Sequence, residues 1–215
     1  MTRLERDLAD LKHRVLDMGN LAASMVTDSW HGVARNDAAC RSAVAAHEPA
    51  LDRTQLEIDR EAVRLIAIFA PVARDLRFLL MIARITSELE RMGDQAVDNC
   101  EYAALIGAAP PTADLTTLAD FVQRMVRDAL QAFADEDPRQ AEAVMQLDAQ
   151  VDALYSQVFR DLIEHAGGSG RARSTGLILL ARSLERIADH ATNICEEVFY
   201  LVEGADIRHQ DAVKA

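Results

Sequence analysis

Four pairs of acids, each a Glu or Asp followed four residues later by Asp, recur along the chain: Glu48 with Asp52, Glu90 with Asp94, Asp148 with Asp152, and Glu185 with Asp189. On a helix, a spacing of four puts both carboxylates on one face, one turn apart. Two helices that each offer such a pair can converge four oxygen donors, the ligand set of a hard cation, so the chemistry points to Mg, Mn or Fe, with Zn or Cu disfavoured. The column at Glu90 and Asp94 continues through Asp98 and Glu101, and that at Glu185 and Asp189 through Asn193 and Glu196. Like charges one turn apart repel by roughly a few tenths of a kcal/mol per pair, with Arg91 and Arg186 offering only partial relief. One such pair on an acidic, Ala-rich helix reads as solvated surface. Recurrence at four equivalent places weighs against that reading.

No other constellation competes. His47 beside Glu48 and His190 beside Asp189 are read as chance neighbours, and the Glu-x-x-His pairs of di-iron bundles do not occur. Nor does a P-loop, GxGxxG, HExxH or GxSxG, so neither a nucleotide site nor a hydrolase is indicated, and the chain is not expected to be an enzyme. Cys40, Cys100 and Cys195 are odd in number and form no CxxC, which argues against a disulfide framework and for a reducing compartment. Cys100 and Cys195 are read as packing residues, as are Trp30, Phe69, Phe78, Phe121, Phe133, Phe159, Phe199 and Tyr200. With 35 acids against 23 Lys and Arg, a net charge of −12 repels phosphate backbones, so nucleic acid and anionic bilayers are set aside as partners. The longest apolar runs, such as Leu65 to Ala73, fall well short of the ~18 residues of a spanning helix. The opening MTRLERDLADLKHR is charged and amphipathic, so no export or inserted segment is expected.

The elements that must hold the acids are helical throughout. Only 9 Gly and 5 Pro occur in 215 residues, and Ala, Leu, Arg, Glu and Asp dominate, so intrinsic propensity favours an all-α chain. Breakers at Arg35-Asn36-Asp37, Pro71, Gly107 to Thr112, Asp137-Pro138 and Gly167 to Gly170 leave three helices on each side of Pro110-Pro111. The two sides look like copies. At an offset of 100, Met25, Val26, Asp28, Ala34, Asp37, Ala43, Val44, Asp52 and Arg60 meet their identities; at an offset of 95, seven of fourteen positions agree between Glu88 to Glu101 and Ser183 to Glu196. Two three-helix units follow, residues 1–108 and 112–215, side by side as an elongated six-helix body in which each unit is long enough to hold its own small core. In the third helix of each, Ile85, Leu89, Met92 and Ala96, and Leu180, Leu184, Ile187 and Ala191, form the core stripe, with the acidic column roughly opposite.

Pro71-Val-Ala-Arg-Asp75-Leu-Arg77 leading to Glu88-Leu-Glu-Arg-Met-Gly-Asp94, then Arg182-Ser-Leu-Glu-Arg-Ile-Ala-Asp189 running on to Asn193-Ile-Cys-Glu and Phe199-Tyr-Leu-Val-Glu-Gly204, resembles the PhoU family of phosphate-transport accessory proteins over essentially the whole chain. The resemblance implies a tandem of three-helix bundles whose acidic motifs bind multinuclear iron or other divalent cations, Mg and Mn among them and Zn less so. The matching positions are Glu48, Asp52, Glu90 and Asp94 in the first unit and Asp148, Asp152, Glu185 and Asp189 in the second, with Asp98 and Asn193 as accessory ligands. It further implies a cytoplasmic homodimer that negatively regulates the phosphate-starvation response, held peripherally at the inner membrane by the ATP-binding subunit of a phosphate ABC transporter and by the sensor histidine kinase of the phosphate regulon. A metal-dependent phosphoesterase, a metal store, or a regulator of a different phosphate carrier are the alternatives. Two positions depart from the family pattern. Pro49 lies inside the first pair, where it removes a helical hydrogen bond and is expected to kink helix two; Ala188 replaces a Gly in the second motif, a milder change, so cation binding is expected more of the second unit than of the first.

Overall fold

A computed structural model describes residues 1–164 and 171–205 as six helices, with no strand among them: α1 (Arg3–Ala34), α2 (Ala38–Phe69), α3 (Ala73–Ile106), α4 (Ala113–Asp135), α5 (Pro138–Glu164) and α6 (Arg171–Glu203). Four of the five expected breaks fall between helices; the Gly167 to Gly170 stretch lies outside the described residues. The repeat signal marks the caps. Asp37 accepts from the Ala39 and Cys40 amides, and its copy Asp137 accepts from those of Arg139 and Gln140, so each second helix starts on the same side-chain bond. Thr2 and Thr112 cap α1 and α4 in turn, Thr2 through a reciprocal box with Glu5.

Pro49 does not interrupt α2, which runs unbroken for 32 residues through it. The carbonyl that a proline amide leaves unpaired belongs to Ala45, an exposed position where water can reach it. Pro49 is itself exposed, and its own carbonyl accepts from the Arg53 Nε at 2.9 Å.

Within each unit every helix touches the other two, and the units join through α3 against α6 and α1 against α4. These four make a square, with α2 and α5 closing opposite flanks. Both joints run antiparallel. Along the first, Arg84 meets Glu197 near one end while Arg173 reaches Ile106 at the other; along the second, Lys12 meets Glu136 and Gly19 lies against Leu130. The eight stripe residues named above are all 0–1% exposed, but they belong to one continuous core that crosses both joints rather than to two separate cores. Trp30, Phe78 and Phe133 are buried in it, whereas Phe69 and Phe121 pack against it half-buried, and Phe159, Phe199 and Tyr200 are also only half-buried.

The linker between the units is tied down by one side chain. Arg173 donates to the carbonyls of Ile106, Ala109 and Pro110 at 2.7, 2.8 and 2.7 Å, satisfying an orphan carbonyl at the end of α3 and two in the connection. Three residues along α6, Gly176 lets that helix approach: a Cβ there would lie 2.8 Å from both Leu105 Cβ and Ile106 Cγ1 and 3.2 Å from the Ile106 amide nitrogen. Because backbone cannot swing aside as a side-chain tip can, Gly176→Ala is expected to cost about 1–3 kcal/mol by overpacking. Urea unfolding followed by circular dichroism measures this, and an unchanged midpoint would contradict the close approach.

Candidate cation-binding face and the seam between the units

Each acidic cluster sits where a second helix meets a third, α2 with α3 in the first unit and α5 with α6 in the second. In the first, burial and then the Asp94 and Asp52 charges push the Glu90 carboxyl above its ordinary range; burial, Asp52 and Asp98 do the same to Asp94. The sequence motif therefore brings Asp52, Glu90, Asp94 and Asp98 into one field. Glu48 lies half-buried one turn before Asp52, with no hydrogen-bond or ion-pair partner among the described residues. In the second cluster burial and Asp152 raise the Asp148 carboxyl against a hydrogen bond from Thr192. Burial and then Asp148 and Asp152 raise Asp189, and burial and Asp189 raise Glu185.

Carboxyls raised first by burial and then by one another's charge have an unfavourable ionised form that a proton or a cation relieves. The donors are oxygen alone, which suits a hard cation. One of them, Glu185 Oε2, is buried with no hydrogen-bond partner. The residues thus fit a divalent ion in chemistry. They do not form a finished cage: among the described residues no three His, Cys, Asp or Glu side chains converge closely enough to hold an ion. Asp52, Asp94, Asp152 and Asp189 are exposed and able to swing inward.

Helical spacing alone misplaces three groups. Glu185 sits roughly opposite the α6 core stripe on a single wheel, yet it is 9% exposed, because α5 flanks α6 on that side. Its cation is not Arg186, which makes no ion pair among the described residues, but Arg182, at 2.5 Å from Oε1. Asn193 turns its amide nitrogen toward Glu88 Oε2, at 3.1 Å. Arg91 likewise pairs with Glu88 rather than with the acidic column.

Glu88 is the functional-looking residue that spacing did not reveal. It lies on the α3–α6 seam, where Oε2 also meets His190 Nδ1 at 2.7 Å. The repeat-related contact, between the positions of Ser183 and Gln95, is a hydroxyl donating to a backbone carbonyl at 3.3 Å. Both departures were visible as mismatches in an otherwise matching stretch, Glu against Ser and Gln against His. Burial would raise the Glu88 carboxyl, but the hydrogen bonds from His190 and Asn193 outweigh it and hold it below the ordinary 4.5. A carboxylate held low in the folded state stabilises it fully above that ordinary value, and the stabilisation is lost as pH falls through the lower folded one. Glu88→Gln is therefore expected to lose about 1–3 kcal/mol at neutral pH. The deficit relative to the unsubstituted chain should shrink as pH falls below the ordinary carboxylate range and through the lowered folded value; a gap independent of pH would contradict the charged seam.

The raised carboxyls carry the opposite sign. Each destabilises the fold while ionised, so Asp189→Asn should raise stability at neutral pH by roughly a few tenths of a kcal/mol. A thermal melt in a metal chelator checks it, and a lowered midpoint would mean that Asp189 has a favourable partner.

A family model described as the PhoU domain matches the chain twice, over residues 15–103 and 115–198. The Caulobacter vibrioides protein named phosphate-specific transport system accessory protein PhoU homolog is 37% identical over 210 residues, 95% of this chain and 91% of that protein. The Pseudomonas aeruginosa protein of the same name is 35% identical over 209 residues, 94% of this chain and 86% of its own length. Among solved structures, PhoU from Pseudomonas aeruginosa superposes with a TM-score of 0.90 at 34% identity, covering 94% of this chain and all of that one. The phosphate transport system regulatory protein PhoU from Streptococcus pneumoniae does so at 0.89 and 25%, covering 95% and 99%. With both halves matched by the same domain and a third of all positions shared along nearly the full length, the chain belongs to the PhoU family.

Proposed function

We propose that this protein is a negative regulator of the phosphate-starvation response and a modulator of phosphate uptake. It acts in the cytoplasm as an adaptor between the ATP-binding subunit of a phosphate ABC transporter and the sensor histidine kinase of the phosphate regulon, and it works as a homodimer. What carries the reading is the 37% identity spread over 95% of the chain with a phosphate-transport accessory protein. Two features agree with it. No described helix is long and apolar enough to cross a membrane, so attachment there would come through partners. The described residues also offer six long helices whose faces can serve as docking surfaces.

We further propose that the acidic clusters take divalent cations, with Glu48, Asp52, Glu90, Asp94 and Asp98 supplying oxygens in the first unit and Asp148, Asp152, Glu185, Asp189 and Asn193 in the second. Multinuclear iron is one candidate. A bound cation would cancel the repulsion within each cluster and turn an acidic patch into a docking surface of fixed shape.

The test is genetic and biochemical together. Deletion of the gene should leave alkaline phosphatase expressed in high phosphate, and tagged full-length protein should retain the transporter's ATP-binding subunit or the sensor kinase from phosphate-replete membranes. Normal repression in the deletion strain would remove the regulatory reading; repression lost with neither partner recovered would point to a different phosphate carrier.

A further inference from the structure

Two cavities lie along the α1–α4 joint, neither sharing a residue with the acidic clusters, and the repeat relates them. One, of about 340 Å³, opens where the end of α1, the start of α4 and the linker prolines Pro110 and Pro111 meet. Its sister, of about 380 Å³, lies where the middle of α1 meets the second half of α4. At an offset of 100, Trp30, His31, Asp120 and Gln123 of the first stand where the sister has Leu130, Gln131, Asn20 and Ala23. The same helix crossing thus makes both cavities, and divergence of side chains makes them chemically different.

The first cavity holds a pair of basic side chains. Arg35 Nη2 donates to His31 Nε2 at 3.4 Å, one helical turn away. Arg35 makes no ion pair among the described residues, so its guanidinium keeps donors for a ligand. The position matching Arg35 in the other unit is Asp135, which accepts from Gln131 at 2.6 Å, so the charge there is inverted. Arg127 is the one cation among the sister's lining residues. The opposite wall of the first cavity, on α4, offers acceptors. Asp120 takes a hydroxyl or an amine, and Gln123, whose amide nitrogen donates to the Ala119 carbonyl at 3.2 Å, leaves its oxygen for a ligand donor. Trp30 and the two prolines add apolar surface, and the volume falls at the lower end of the range of about 300–1,000 Å³ for small-molecule sites.

We propose that this cavity binds a small phosphate monoester bearing hydroxyl or amino groups, the class of sugar phosphates and nucleoside monophosphates. Its phosphate lies on Arg35 and His31, and its hydroxyl or amino groups on Asp120 and Gln123. A guanidinium that pairs two phosphate oxygens at once provides locally the attraction that a net charge of −12 denies at long range. A ligand so placed touches α1, α4 and the linker together, so it braces the two units against each other and stabilises the fold. The site stands independently of the adaptor and cation readings.

The experiment is a calorimetric titration of the full-length chain with AMP, a ribose monophosphate, adenosine and inorganic phosphate, with circular dichroism checking that each variant keeps its helices. AMP or the ribose monophosphate should bind once per chain and raise the thermal midpoint, with adenosine weaker by about tenfold or more. Arg35→Gln, and His31→Gln, which installs the sister cavity's residue, should each weaken binding by about tenfold and shrink the midpoint shift. Arg127→Gln should change neither. Inorganic phosphate binding as tightly as both esters would overturn the ester assignment and make free phosphate the ligand, because the α4 wall would then contribute nothing. Absence of saturable binding of any phosphate compound by the unsubstituted chain would overturn the proposal outright. So would an affinity unchanged by Arg35→Gln, or one lost on Arg127→Gln, which would place the ligand in the sister cavity.

Discussion

The antiparallel packing of α3 on α6 is the constraint on which the rest depends. Each is the third helix of its unit, so each must bury one stripe against its own two neighbours and a second against its counterpart. That double burial leaves little of either helix exposed, and it confines polar side chains at the seam to positions where a partner waits: Arg84 with Glu197, Glu88 with His190 and Asn193, Ser183 with the Gln95 carbonyl. Because a buried ion pair returns little net energy but is costly to break, these contacts enforce the register of the joint more than they add to its strength. The register in turn sets how the acidic cluster on α3 and the one on α6 are placed relative to each other.

The clusters themselves work against folding. Their carboxyls are raised by burial and by one another, so holding them ionised at neutral pH costs stability that the core must supply. The single continuous core makes this tolerable, since apolar burial is shared across both units. The second unit lowers the cost with Arg182 and Thr192, whereas the first leaves it in place.

Much of this was legible in the sequence, and the exceptions have a common physical origin. The helix ends, the Asp37 and Asp137 caps and the two apolar stripes follow from local propensity and a period of 3.6, which a linear string carries directly. The acidic pairs were legible for the same reason, since i and i+4 are neighbours on any helix. The burial of Glu185 was not, because a wheel knows one axis and Glu185 is covered by a neighbouring helix. Glu88 and His190 stand 102 residues apart, and only their mismatch with the other copy marked them. Pro49 lies inside α2 without ending it, because the carbonyl it frees is exposed to water.

The asymmetry of the seam bears on which units can pair with which. Two tandem copies of one unit could pair in three ways, first with second, first with first of another chain, or second with second. Only the first with the second gives Glu88 its imidazole. Two first units would each set a half-buried carboxylate against the glutamine at position 95, and two second units would set each imidazole against the serine at position 183. Divergence at two positions of a duplicated helix thus favours pairing of a first unit with a second over pairing of like units.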